Sequence, residues 1–569
     1  MRNSQTKNSM KKFLSLIVLL VVVLTANAAY PEKIKRIKTS KGVTLTGVVY
    51  CGDEPVSGVV VSDGVQTTTT DEQGVYRLKS QKPHGVVFIS TPSGYRASLN
   101  EDVRLQYWHH VNFEPKKLER HDFELERVND SKYSLIVLSD THFCNNPKIE
   151  DLRHFEQIVM PAVKEAVSES ADAPAYAVIL GDITWDRFWY ETGFDIERVP
   201  SYLKEQGFPV PVFGVMGNHD NDPSTIPDAA ADFNGAKRYR KVFGPTYYSM
   251  NLGKTHIVVL DNIVYKNEVK PDQKQHQGVV GSRNYDLCFD DAQLAWLKQD
   301  LSHVTDKSTP IIVCMHAPLH TYDGEGNVIS GLVKGSDKQL VELLKDFEQV
   351  RIFSGHSHRT SSFVHKQYPN IVEYNITSVG GDLWKTPNKC GLNIGEDGGA
   401  AGFRKIVFDG KKCLNTWYNA ESSVRDNTPF RAYDMNVVGE VYKSNERLQH
   451  LCRLQRKQID YSDATYANYV YVNCWAWEQG CTLTVTENGI PLTVERVKDS
   501  DPLAAKVLFA SSAKKAKKES KKTNRLSVAA NMFRVKTSSA DSPVTITLTT
   551  PSGHAYEKVL TRPAAFPVK

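Results

Sequence analysis

In the middle of the chain, five short apolar runs each end abruptly in a polar cluster. Tyr133 to Leu138 runs into Asp140 and His142, and Ala175 to Leu180 into Gly181 and Asp182. Pro209 to Met216 runs into Gly217, Asn218, His219 and Asp220, Pro310 to Met315 into His316, and Val350 to Phe353 into Gly355, His356, Ser357 and His358. Continuous Val/Ile/Leu runs of this length predict strands buried on both faces. Between them, Asp151 to Ser168, Asp290 to Leu301 and Ser336 to Phe347 place apolar residues at helical spacing, with Ser336 as the expected N-cap. Strands alternating with helices predict an α/β domain over residues 127–420. In open α/β sheets ligands bind beyond the carboxyl ends of the strands, so the five polar clusters are expected to meet in one crevice.

The texture differs on either side. Residues 29–126 are rich in Val, Thr and Gly, with short alternating runs at Val43 to Tyr50, Val56 to Ser62, Val65 to Thr70, Val75 to Leu78 and Val86 to Ser90. Turn signals such as Asp63-Gly64 separate them, which predicts a small β-sandwich. Residues 421–569 are read as a second β-rich domain, with a hairpin about Asn488-Gly489 and an edge strand at Val544 to Thr549. At the other end, Lys11 and Lys12 precede an apolar run from Phe13 to Leu24 and the small-x-small site Ala26-Asn27-Ala28. That pattern predicts a cleaved secretory signal over residues 1–28, and hence a periplasmic or extracellular protein. No later stretch reaches the roughly 20 apolar residues that a membrane span needs.

Loss of the leader changes the charge balance. The chain carries +5, and removing Arg2, Lys7, Lys11 and Lys12 with no acid leaves +1. A near-neutral protein has no general attraction for nucleic acid. The run Lys514 to Arg525 lacks interleaved aromatics and is read as a solvated loop. Nine cysteines in an oxidising compartment leave at least one unpaired; Cys474 and Cys481 are close enough for a staple but equally able to stay free.

The residues gathered at the strand ends are Asp140, His142, Asp182, Asn218, His316, His356 and His358, with His219 beside them. Carboxylate, imidazole and amide donors without thiolate suit Mn, Fe, Zn or Ni. Seven ligands exceed the four that one zinc takes, so two ions sharing a carboxylate is the economical arrangement, with Asp182 as bridge. His256, His303, His365 and His554 lack the strand-end context and are read as ordinary core or surface residues. Gly181, Gly217 and Gly355 are expected to permit tight turns or close backbone approach. Trp185, Asp186, Arg187, Trp189 and Tyr190 crowd after Asp182, and Trp185 and Asp186 are candidate substrate contacts. Arg359, Asp382, Trp384 and Lys385 are weaker ones.

In order, DxH, GD, GNHD, a lone His after a strand, and GHxH resemble the calcineurin-like metallophosphoesterase superfamily. The resemblance implies a four-layer α/β sandwich, two mixed sheets flanked by helices. It assigns one metal to Asp140, His142, Asp182 and His358, and the other to Asp182, Asn218, His316 and His356. It makes His219 a phosphate contact and proton donor to the leaving oxygen, with Asp220 placed to orient its ring. It also implies hydrolysis by a hydroxide bridging the metals. Trp185 stands where relatives carry Asp or the metal-binding Tyr of purple acid phosphatases, so a purple Fe(III) centre is not expected. The N-terminal wording GVVVSDGVQTTTTDEQGVYRL resembles carboxypeptidase-regulatory-like or transthyretin-like modules. Arg431, Tyr433 and NCWAWEQGCTLTVTENG resemble the C-terminal domain of secreted Bacteroidetes-type phosphoesterases. The expected substrate is a small, glycan-linked or lipid-linked phosphate ester, monoester or diester. A nuclease or nucleotide phosphodiesterase, and a non-catalytic glycan-binding protein on the same scaffold, are the alternatives.

Overall fold

Alternate residues of the strand Lys132–Leu138 belong to two different cores: Leu135 and Val137 lie in one apolar cluster, Ile136 and Leu138 in another. This is the direct consequence of a strand that is apolar on both faces. The computed structural model describes residues 30–100, 104–271, 273, 276–323, 326–420, 427–454, 460–510 and 527–568. The signal read over residues 1–28 and the lysine run at 514–525 lie outside them.

The strand sits at the centre of a five-stranded sheet, ordered Val212–Gly214, Ala175–Ile179, Lys132–Leu138, Gly402–Asp409, Lys412–Asn419. The first three are parallel; the last two return antiparallel. A six-stranded sheet, ordered Tyr248–Leu252, Thr255–Val259, Ile311–Cys314, Val350–Ser354, Ile371–Asn375, Ser361–Val364, packs against it, with four parallel strands in the middle. Helical residues 151–168 and Val199–Glu205 cover the outer face of the first sheet, and the helices Asp291–Ser302 and Ser336–Leu344 pack on the second. The result is the mixed-sheet α/β sandwich, and the five motif-bearing strands divide three and two between its sheets. Ser336 is not the cap of its helix. Gly335 holds that position, and the Ser336 hydroxyl instead accepts the Phe289 N–H at 3.2 Å.

Two small sheets built from residues 45–127 form the N-terminal β-rich region. Its core is continuous with the inter-sheet core of the α/β domain. Trp296, fully buried on the helix Asp291–Ser302, packs its ring on Phe88 and Tyr247 at centroid distances of 6.1 and 5.0 Å and donates to Ser62 Oγ at 3.1 Å. Beside it the Asn251 N–H donates to the Thr91 carbonyl at 2.8 Å, so the N-terminal region also covers the open edge of the second sheet.

The C-terminal region holds two four-stranded sheets and the helices Met435–Ser444 and Glu446–Leu454. Asn488 and Gly489, at φ of +51° and +79°, turn the hairpin between Thr482–Glu487 and Ile490–Pro491. Val544–Thr549 is an inner strand: Thr482–Glu487 lies on one side and Ala555–Leu560 on the other. Its alternation reflects one buried and one half-exposed face, which an inner antiparallel strand shows as readily as an edge. All nine cysteines are free thiols, and Cys474 and Cys481 are buried in the apolar core of this region. No helix among the described residues is long and apolar enough to cross a membrane.

Trp296→Ala is expected to cost about 3–5 kcal/mol and to let the N-terminal sheets unfold ahead of the α/β domain. Guanidinium unfolding followed by fluorescence and circular dichroism would measure both. A single transition shifted by less than about 1 kcal/mol would show that the junction does not depend on this side chain.

Candidate metal centre

Where three of the five strands end, the backbone leaves ordinary conformation. Asp140, His142, Asp182, His356 and His358 have φ of +51°, +48°, +47°, +64° and +52°. The left-handed region costs a residue with a Cβ roughly 1–2 kcal/mol, and such strain concentrates at functional sites. The turns are tight as well. A Cβ on Gly217 would overlap the Asp182 amide, and one on Gly355 would overlap the Ser139 hydroxyl.

Loops of this shape cannot pair their amides in a ladder, and buried carboxylates take them instead. Asp151 accepts the N–H groups of Cys144, Asn145 and Asn146 at 2.7–2.9 Å, just beyond Asp140 and His142. Asp220 accepts those of Ile183, Thr184 and Gly217 at 2.9–3.2 Å, joining the Asp182 and Asn218 loops. Glu373 accepts those of Leu319 and His320 at 2.6 and 3.0 Å, beyond His316. Asp397 accepts those of Thr360 and Gly399 at 2.9 and 3.0 Å, beyond His358. Carbonyls are held too: Ser378 Oγ donates to Asp140 O at 2.7 Å and Trp384 Nε1 to Thr141 O at 2.9 Å. Trp384 is fully buried, which makes it a support of this loop rather than a substrate contact.

Two groups of ligand atoms result, Asp140, His142, Asp182 and His358 in one, and Asp182, His316 and His356 in the other, each within 4.8 Å. In the first, His142 Nε2 lies 3.0 Å from His358 Nε2, and His358 Nε2 lies 3.3 Å from Asp140 Oδ1. In the second, His316 Nε2 lies 3.1 Å from Asn218 Oδ1, 3.1 Å from His356 Nδ1 and 3.3 Å from Asp182 Oδ2. Donor atoms about 2.1 Å from one ion lie about 3.0–3.4 Å from each other, so these separations fit shared cations. The donor chemistry agrees. His316 Nδ1–H donates to the Leu180 carbonyl at 2.7 Å, which turns Nε2 inward. Asp140 Oδ1 is buried with no hydrogen-bond partner among the described residues.

Electrostatics favour positive charge at the shared carboxylate. Burial alone would raise Asp182, but the His316 and His219 imidazoles hold it well below the usual range. Against the same burial penalty, Asp182 pushes His316 up to about 9, whereas burial beside His316 pushes His356 down to about 3. Around Asp182 positive charge is welcome, while the His142 and His356 rings are kept as neutral lone-pair donors.

His219 stands at the margin of the two groups with 24 % of its side chain exposed. Its orientation differs from the expectation. Asp220 spends both oxygens on the loop amides, and the partner of His219 Nδ1 is Asp186 Oδ1, at 2.7 Å. Geometry decides this: a residue one position on in a tight turn points away from the ring, while Asp186 reaches it from the next loop. Asp186 is itself fully buried and accepts from Arg283 at 2.7 Å. Burial works against charge on His219, yet Asp182 and Asp186 raise its pKa. Arg283 was not foreshadowed, since no apolar strand precedes it; the only signal was a cation in a loop. Tyr285, edge-on to His356 at 6.0 Å, was missed for the same reason. Trp185 is half-buried, edge-on to His142 at 5.9 Å and His219 at 6.5 Å. Arg359 pairs with Glu396 at 3.0 Å beside His358, and Lys385 lies 3.5 Å from Asp382.

Three sequence profiles match: "N terminal of Calcineurin-like phosphoesterase" over residues 43–128, "Calcineurin-like phosphoesterase" over 133–360, and "C terminal of Calcineurin-like phosphoesterase" over 373–556. The chain belongs to the calcineurin-like phosphoesterases, a class of metal-dependent phosphoester hydrolases, and carries both extension domains of the family. Among solved structures it is similar to a dimetal phosphatase from Danio rerio, at 14 % identity over 50 % of this chain and 98 % of that one, with a TM-score of 0.31. It is also similar to GAP50, the anchor in the inner membrane complex of Plasmodium, at 13 % identity, 51 % and 85 % coverage and a TM-score of 0.30. A 5'-nucleotidase from Candida albicans aligns at 11 % identity, 51 % and 52 % coverage and a TM-score of 0.28. No protein of curated function matches the chain.

Asp220→Ala is expected to leave three buried amides unpaired and to destabilise the protein by about 3 kcal/mol or more, with loss of bound metal. Asp186→Asn is expected to keep fold and metal content. Thermal unfolding with elemental analysis compares them; equal behaviour of the two variants would contradict these separate roles.

Proposed function

We propose that this protein is an exported dinuclear phosphoesterase that hydrolyses the phosphate ester of a small, glycan-linked or lipid-linked alcohol. The observation that carries this reading is the single carboxylate, Asp182, common to two ligand groups, with a histidine held beside them by an acid. The donor set suits two ions of the Mn, Fe, Zn or Ni kind. Bound there, they would polarise the phosphoryl group and lower the pKa of an attacking water toward neutrality.

The side chains around them do the rest. Asp186 is an acceptor, so His219 Nδ1 carries the proton between them and Nε2 is the nitrogen left for substrate. When the ring is charged, Nε2–H donates to a phosphoryl or leaving oxygen; Asp182 and Asp186 favour that charge. Arg283, 23 % exposed, adds a cation on the same side without leaving Asp186. The indole of Trp185 supplies an apolar wall against which the alcohol portion of the ester would rest. No serine or cysteine is needed as nucleophile, so hydrolysis is direct. Export rests on the leader pattern of residues 1–28.

His219→Ala is expected to keep both ions and to lower kcat by about 10²-fold to 10⁴-fold. The defect should be smaller for p-nitrophenyl phosphate, whose leaving oxygen needs no proton, than for an alkyl phosphate. Metal loss in this variant would place His219 among the ligands instead. Asp182→Asn should lose both ions where Asn218→Ala loses one, and elemental analysis separates them. N-terminal sequencing of protein recovered outside the cytoplasm should begin at Ala29; a retained leader would refute export by cleavage.

A further inference from the structure

Three of the four loop-holding carboxylates are fastened within the α/β domain. The fourth, Asp397, is not. It is buried on the turn from Ile394 to Ala400, and the turn is gripped from its far side by the C-terminal domain. Asn473 Nδ2 donates to the Asp397 carbonyl at 2.8 Å and to Asp501 Oδ2 at 3.0 Å. Asp501, fully buried, also accepts the Tyr433 hydroxyl at 2.7 Å and the amides of Leu503 and Ala504. Arg431 donates to the Gly398 carbonyl at 2.7 Å, and Gly398 lies so close that a Cβ there would overlap the Asp501 carboxyl group. Next to Asp397, Glu396 accepts from Arg359 on one side and from Ser527 on the other, both at 3.0 Å. Ile394, at the foot of the turn, is part of the C-terminal domain's own apolar core.

We infer that the C-terminal domain is a positioning element of the metal centre: through Asn473, Asp501 and the turn from Ile394 to Ala400 it sets the backbone of His358, Arg359 and Thr360. The chain of contacts is short. Asn473, held by Asp501, fixes the backbone of Asp397, the Asp397 carboxylate fixes the Thr360 amide, and Thr360 lies two residues from His358, whose left-handed backbone is strained when unsupported. The α/β domain holds the other side of the same loop: Thr377 Oγ1 donates to the His358 carbonyl at 3.0 Å and Asn375 Nδ2 to the Gly355 carbonyl at 2.8 Å. One wall therefore comes from each domain. Loss of the C-terminal wall leaves His356 and the second ligand group supported by Asn375, while His358 and the first group lose definition. A displacement of 1 Å in such a site is enough to spoil it. Among the described residues, the side-chain hydrogen bonds of Asn473 and Asp501 go to neither ligand atoms nor any group assigned to substrate.

This inference rests on the reading of His142, His358 and Asp140 as ligands, and the test separates the two. Full-length protein and Asn473→Ala are titrated with Mn²⁺ by calorimetry, and amide exchange is followed in peptides covering 355–362 and 316–322. Val485→Ala, in the other C-terminal sheet, serves as a control for loss of stability. Two Mn²⁺ per wild-type chain support the ligand reading; one or none overturns it, and with it the effect on metal, whereas amide exchange still judges the mechanical link. Asn473→Ala is expected to weaken one of the two binding steps at least 10-fold, to leave the other within 2-fold, and to raise exchange in 355–362 but not in 316–322. Gly398→Ala, which drives the turn off Asp501, should do the same. Equal weakening of both steps, unchanged exchange in 355–362, or the same pattern in Val485→Ala would overturn the inference.

Discussion

The structure depends on backbone amides that have lost their strand partners. A ligand loop that turns through the left-handed region at the end of a parallel strand brings its side chain over the crevice, and it leaves several N–H groups without acceptors in the interior. An unpaired buried amide costs about 1–3 kcal/mol, so each loop must be answered. Asp151, Asp220, Glu373 and Asp397 answer them, one carboxylate for two or three amides. Burial disfavours charge on three of them: it raises Asp151, pushes Asp220 up to about 7, together with Asp182, and pushes Asp397 up to about 6, against the pull of the amides. Such groups specify a backbone more than they add stability, which is what a site built from strained turns requires.

The layered architecture makes these turns possible. Strands apolar on both faces are clamped between two cores, so their ends are fixed points from which a loop can be aimed. The N-terminal sheets extend one of those cores through Trp296, and the C-terminal domain reaches the site through the turn that carries Asp397. Among the described residues neither flank contributes to the two groups of ligand atoms, and both are joined to the domain that does. Where candidate donor atoms stand 3.0–3.1 Å apart, rigidity of the supports has chemical consequence.

His219 shows how a role is shared among residues remote in sequence. Its main-chain N–H donates to Asp182 Oδ1 at 2.7 Å, and its ring is oriented by Asp186, which Arg283 holds in turn. Asp182 thus positions the histidine backbone while raising the basicity of its ring. Trp185, adjacent to Asp186, gains its place over the site from the same short stretch.

Much of this was legible in the residue pattern. Five apolar runs, each ended by Asp, Asn or His, pointed to buried strands, and the polar groups at their ends pointed to a common crevice whose donor chemistry suits a metal. Periodicity could also separate β-rich flanks from the α/β middle. What it could not hold was any relation between residues distant along the chain. That Asp186 rather than Asp220 faces the His219 ring, that Arg283 and Tyr285 stand at the site, and that Val544–Thr549 is an inner strand were settled by packing alone. So were the left-handed turns at Asp140, His142, Asp182, His356 and His358: Asp and His enter that region more readily than most side chains, but residue type alone does not say where they do. A strand and its terminal ligand are encoded locally by alternation and polarity; the direction in which that ligand points is decided by amides and carboxylates that meet only once the sheets have packed.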